Sequence, residues 1–96
     1  MENTRAHIKA TGMFHGMFFR SEVRRKARNL GLKGWVKKSD GGAIEIVAEG
    51  DKARIEGLVD DLKKGEFVKL IISVDVSWGD YTGEFKDFNI AYEDFV

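Results

Sequence analysis

Ninety-six residues carry 16 Lys plus Arg against 16 Asp plus Glu, so the chain has no formal net charge and lacks the basic excess of a dedicated nucleic-acid binder. With no cysteine, disulfides, thiol catalysis and cysteine metal sites are excluded. The length predicts one domain, residues 1–96, acting as a monomer. The first ten residues hold no apolar run of signal-peptide or membrane-span length, which makes the cytoplasm the expected location.

Ala6, Ile8 and Ala10 alternate with His7, Lys9 and Thr11, which predicts a half-buried strand over residues 6–11 with His7 on its solvated face. A loop with two glycines starts at Gly12. Ser21 is expected to cap a helix running to about Leu30, with Arg20 at the edge of its first turn. Val23, Ala27 and Leu30 form its apolar face, and Arg24, Arg25, Lys26 and Arg28 a basic, solvated one. Gly31 ends the helix in the left-handed conformation.

Gly34 to Lys38 reads as a short strand, with Trp35 expected in the core or at a helix–sheet edge. Asp40-Gly41-Gly42 reads as a hairpin turn, and Ala43 to Glu49 as the return strand. Gly50-Asp51 stops that strand and caps a second helix, whose core stripe is Ile55, Leu58, Val59 and Leu62. Lys63, Lys64 and Gly65 close it, with cations at the negative end of the helix dipole. Lys69 to Trp78 alternates cleanly and puts Trp78 in phase with Val74 and Val76, hence in the core. Gly79 to Gly83 is a turn, and Phe85 with Phe88 to Tyr92 makes a last short strand. The order β-α-β-β-α-β, plus one strand piece, predicts an α+β, ferredoxin-like sandwich. In it an antiparallel sheet carries both helices on one face.

That topology hosts many functions, so the chemistry has to come from residues. The stretch Gly12 to Arg20, GMFHGMFFR, joins the first strand to the first helix. Gly12 and Gly16 let the backbone curl, and a curled backbone aims its N–H groups inward as a nest for an anion. The following helix presents its partial positive end to the same point. Arg20 adds a permanent charge on a fork that matches phosphate oxygens. The same residues also fit a plain strand-to-helix turn with Arg20 in water. Met13, Phe14, Met17 and Phe18 fit a loop packed over the core edge, with Phe19 in the core. Trp78 and Tyr81 could stack a base, but no RNA-recognition signature accompanies them. No nucleic-acid or membrane partner is expected.

On these residues the chain resembles the acylphosphatase family over nearly its whole length. The family signature has the form Gly-x-Val-Gln-Gly-Val-x-Phe-Arg. Here it reads Gly12, Met13, Phe14, His15, Gly16, Met17, Phe18, Phe19, Arg20. The family pattern Leu-Gly-Leu-x-Gly-Trp-Val matches Leu30 to Val36 without a break. Val47 to Gly50 before an acid-capped helix, and YTGEF with DF from Tyr81 to Phe88, also fit. The resemblance implies hydrolysis of an acyl phosphate to carboxylate and inorganic phosphate, with no metal, no cofactor and no covalent intermediate. It makes Arg20 the phosphate-binding side chain. The backbone of Phe14, His15, Gly16, Met17, Phe18 and Phe19 becomes the phosphate cradle.

The chain departs from the family at one position that matters. The pattern continues Gly-Trp-Val-Arg-Asn, and the asparagine that orients the attacking water falls on Lys38. An asparagine amide accepts from a water and donates to phosphate at once, whereas an ammonium has three donors and no acceptor. Lys38 adds positive charge beside Arg20 without orienting a water. Two readings follow: an acylphosphatase with lowered turnover, or an acylphosphatase-like domain that binds phosphate and hydrolyses weakly or not at all. His15, in place of the usual glutamine, can donate to an anion, and Phe14 and Met17 make the loop bulkier.

Overall fold

Alternating apolar residues set the strands, and the computed structural model describes residues 2–12, 18–64 and 71–92. Strand β1 (Asn3–Gly12) buries Ala6, Ile8 and Ala10 completely, the alternation read from the sequence. Helix α1 (Phe18–Asn29) buries Phe19, Val23 and Ala27 at four-residue spacing. It starts three residues before Ser21, so Ser21 lies inside the helix and is not its cap. Its end is built as expected. Gly31, at φ 73, donates to the Arg28 carbonyl at 3.0 Å, and Leu32 donates to the Ala27 carbonyl at 2.9 Å. This paired closure satisfies carbonyls that would otherwise be orphaned.

Strand β2 (Lys33–Lys38) leads through a short 3-10 turn (Asp40–Gly42) into β3 (Ala43–Asp51). The side chain of Asp51 accepts from the Ala53 N–H at 3.2 Å, which caps α2 (Lys52–Lys64). Ile55, Leu58, Val59 and Leu62 of α2 are buried, as its periodicity predicts. Strand β4 (Ile71–Gly79) and the short β5 (Phe88–Ile90) complete the chain. Gly65, Lys69 and Leu70 fall outside the described residues.

The strands form one sheet in the order β4-β1-β3-β2-β5. β1 and β2 are each antiparallel to β3, so they run parallel to one another, with α1 returning between them. The four strands of the β-α-β-β-α-β order pair antiparallel, as expected, and the extra strand piece, β5, adds to β2 in parallel, Gly34 opposite Phe88 and Val36 opposite Ile90. The reason is the path of the chain. β4 ends with Gly79 opposite Arg5, at the end of the sheet where β1 begins. The chain then crosses that end beneath Glu49 and can only re-enter the sheet in the direction of β2. Phe85 stays outside β5, with its ring 5.4 Å from the Arg5 guanidinium.

Both tryptophans sit elsewhere than expected. Trp78 has the right phase for the helix side, opposite Ala6, yet it is 43% exposed because β4 is an edge strand. Lys52 caps its ring at 5.3 Å. Trp35 alternates with the buried Gly34 and Val36, so it lies on the outer face of the sheet, half-buried, with Lys37 5.2 Å over its ring. His7 is on that outer face as well, but it is not simply solvated: its Nε2 lies 2.5 Å from Glu45 Oε2.

Candidate active site

Because β1 and β2 are parallel, both finish at the same end of the sheet. Ala10 and Lys38 are each the register partner of Ile44, so Lys38 stands two strands from the end of β1, about 10 Å across the sheet. Lys38 shares the phase of Gly34 and Val36, which are buried toward the helices, but it is itself exposed at the strand's end. It therefore emerges on the helix side, where α1 begins.

At that start, Phe19 is 2% exposed and anchors the first turn in the core, while its neighbour Phe18 is 64% exposed. Arg20 follows, half-buried, on the flank of the helix. The first turn of α1 contains no acidic residue of its own, a composition that suits an anion at the positive end of the helix dipole. Phe14, His15, Gly16 and Met17, the first four of the six expected cradle residues, lie outside the described residues.

One hydrogen bond fixes the register of α1 against the strands. The Nε of Arg28 donates to the Phe88 carbonyl at 2.9 Å, and its Nη2 reaches Asp87 at 3.1 Å and Asn89 at 3.2 Å. Phe88 is level with Gly34 on β2. Counting back two turns of helix from Arg28 to Arg20 covers about 12 Å. Counting on from Gly34 to Lys38 covers about 13 Å of strand in the same direction, because α1 runs against β2. Arg20 and Lys38 thus come level at the site end, one on the helix and one on the strand. Phe18, Phe19 and Arg20 share the first turn of α1, and Lys38 ends β2 at the same end of the sheet.

The basic run on α1 is more engaged than a solvated face. Arg25 pairs with Glu22 at 2.6 Å, and the resulting hydrogen bond holds the Glu22 carboxyl below its ordinary value. Lys26 reaches Asp61 of α2 at 4.0 Å, and Arg28 is tied to the β5 segment. The residue that the sequence reading missed is Glu49. It is 1% exposed at the far end of the sheet and holds the chain that crosses from β4 to β5. The available signal was a carboxylate directly after the apolar run Ile46-Val47-Ala48 of β3. Among the described residues, no group of three or more His, Asp or Glu side chains is placed to hold a metal, and no helix is long and apolar enough to cross a membrane.

The acylphosphatase family model matches residues 6–90. The acylphosphatase of Pelotomaculum thermopropionicum is 41% identical over 92 residues, covering 96% of this chain and 100% of that protein. The crystal structure of the Bacillus subtilis acylphosphatase superposes with a TM-score of 0.83 at 29% identity, over 93% of this chain and 99% of that one. An acylphosphatase structure from Coxiella burnetii gives 0.82 at 32% identity, over 93% of each chain. The likeness spans both helices and the sheet that joins them, and the chain belongs to the acylphosphatase family.

Proposed function

We propose that this chain is an acylphosphatase that hydrolyses the carboxyl–phosphate bond of acyl phosphates. Water adds to phosphorus, the bond from phosphorus to the bridging oxygen breaks, and carboxylate and inorganic phosphate leave. The Arg20 fork grips two phosphate oxygens, and the backbone N–H groups from Phe14 to Phe19 cradle the others. Lys38 places a second cation at the same anion. The observation that carries this reading is the acylphosphatase family match across residues 6–90; Arg20 in the first turn of α1 and Lys38 at the end of β2 fit it.

Lys38 also sets the speed in this reading. An ammonium stabilises bound phosphate but does not accept a hydrogen bond from the attacking water. Binding ground state and transition state alike leaves turnover low. The second reading, a phosphate-binding domain with little or no hydrolysis, rests on the same residue. In either case the partner is a small acyl phosphate or inorganic phosphate, and no nucleic acid or membrane takes part. The chain acts as one domain, a monomer, in the cytoplasm, in keeping with its cysteine-free composition.

Hydrolysis of benzoyl phosphate by the protein and by Arg20→Ala separates the readings. Turnover that disappears in the variant supports the enzyme. No turnover above background, with phosphate still raising the melting temperature, supports the binding domain. No turnover and no phosphate effect removes both.

A further inference from the structure

Helix α1 packs on β2 and β5, and β5 is a three-residue strand at the edge of the sheet. The Gly34 N–H donates to the Asp87 carbonyl at 3.0 Å, and the Ala91 N–H donates to the Val36 carbonyl at 2.8 Å. Asp87 and Ala91 thus bond toward β2, and alternation along a strand turns the Phe88 carbonyl to the open edge. Arg28 takes that carbonyl through its Nε at 2.9 Å, while its Nη2 spans Asp87 Oδ2 at 3.1 Å and Asn89 Oδ1 at 3.2 Å. Asp87 is itself held, because its Oδ1 accepts from the Phe88 N–H at 2.7 Å. The buried stripe of α1, Phe19, Val23 and Ala27, keeps the helix on the sheet, but apolar contacts are non-directional and fix rotation and height weakly. A guanidinium fork shared among acceptors on three successive residues is directional and fixes both. Arg28 and Arg20 lie on the same helix, two turns and about 12 Å apart. The rotation and height set at Arg28 are therefore passed to the first turn.

Resting on the reading above for the phosphate at Arg20, we propose that Arg28 is a positioning residue for the reaction. Through Asp87, Phe88 and Asn89 it sets how the first turn of α1, and with it Arg20, meets the phosphate. Arg28 takes no part in the bond that breaks. A misplacement of about 1 Å at a reacting centre can cost about a hundredfold in rate, so a smaller slip of the helix is enough for a measurable loss.

The test measures benzoyl phosphate kinetics and calorimetric binding of inorganic phosphate, both well below the melting midpoint of every variant. Arg28→Gln should weaken phosphate binding about three- to tenfold and lower kcat by a similar factor. Arg28→Lys, whose single ammonium cannot span the same acceptors, should recover part of the loss. Adding Asp87→Asn to Arg28→Gln should cost little more, because both changes break one contact. Thr82→Val is the control: it loses a hydrogen bond to Glu49 at the opposite end of the sheet and should melt lower with phosphate affinity and kcat unchanged. An Arg28→Gln protein that melts lower yet binds and turns over like the wild type overturns the proposal, and so does an equal loss of phosphate affinity in Thr82→Val. If the wild type binds phosphate without turnover, the enzymatic reading fails and calorimetry decides: weaker binding in Arg28→Gln supports the positioning role, and equal affinity rejects it. A wild type that neither binds nor hydrolyses overturns the reading at Arg20 and the positioning role with it.

Discussion

Glu49 and Thr82 are joined twice: the Thr82 N–H donates to Glu49 Oε2 at 2.9 Å, and the Thr82 hydroxyl lies 2.9 Å from the same oxygen. The Gly83 N–H donates to the other oxygen at 3.0 Å, and Arg5 Nη1 reaches Oε2 at 3.2 Å. This buried carboxylate holds down a segment with no regular structure of its own, between the two edge strands of the sheet. Replacing it with glutamine removes the charge and turns two donors toward a site filled with donors. Glu49→Gln should cost about 2–3 kcal/mol in urea unfolding, since hydrogen bonds to a buried charge are the stronger kind. In a chain this size that lowers Tm by about 10–20 °C. A loss below about 0.5 kcal/mol would show that the crossing segment is held by something else.

The same carboxylate should set part of the acid stability. Burial raises its pKa and is the largest single effect, but the hydrogen bonds from Thr82, Gly83 and Arg5 together outweigh it and leave the group below its ordinary 4.5. A carboxyl lowered in the folded state binds its proton more readily when unfolded. Its contribution is therefore complete above pH 4.5 and is lost as pH falls through the lower folded-state value. Melting temperature should fall steadily below pH 4.5 in the wild type and less steeply in Glu49→Gln. Parallel curves for the two proteins would refute the linkage.

Restoring an amide at the end of β2 tests what Lys38 does. Lys38→Asn supplies an acceptor for the attacking water, and one positioning group is worth about 10²–10³ in rate. With benzoyl phosphate, kcat should rise by about that factor while phosphate affinity weakens through the lost charge. A fall in kcat would mean that the lysine itself contributes to turnover.

Gly34, at the start of β2, is the tightest of the described glycines. Its φ is 140, and a Cβ there would lie 1.9 Å from the Val47 carbonyl oxygen. That oxygen belongs to a central strand and has nowhere to move. Gly34→Ala should destabilise by about 3 kcal/mol or more, because overpacking and a disfavoured φ act together. The check is the soluble yield and denaturant midpoint of the variant, and a midpoint near wild type would mean that β2 shifts to admit the methyl group.

Much of the fold was legible because it is written in short-range patterns. The alternation of Ala6, Ile8 and Ala10, the four-residue spacing of Val23 and Ala27, the Gly31 closure and the Asp51 cap each depend on neighbours a few residues away. The start of α1 was misread because Ser21 looks like a cap. The buried Phe19 instead pulls the helix back to Phe18, as tertiary packing overrides a local preference. Arg20 and Lys38 were legible as residue types at matching positions in a family pattern.

What only the tertiary structure decided is which faces are covered and which distant residues meet. Alternation assigned Trp78 to the correct face of β4, but coverage depends on strand order, and an edge strand leaves that ring 43% exposed. The direction of β5 follows from where β4 ends, and the role of Glu49 from the chain that passes over it. The end of β2 and the first turn of α1 lie at one end of the sheet only because β1 and β2 run parallel and the bond from Arg28 to Phe88 sets how α1 lies against them. By itself the sequence determined the local elements and the residues available for chemistry. Their meeting depended on long-range pairing, which no periodicity within one segment encodes.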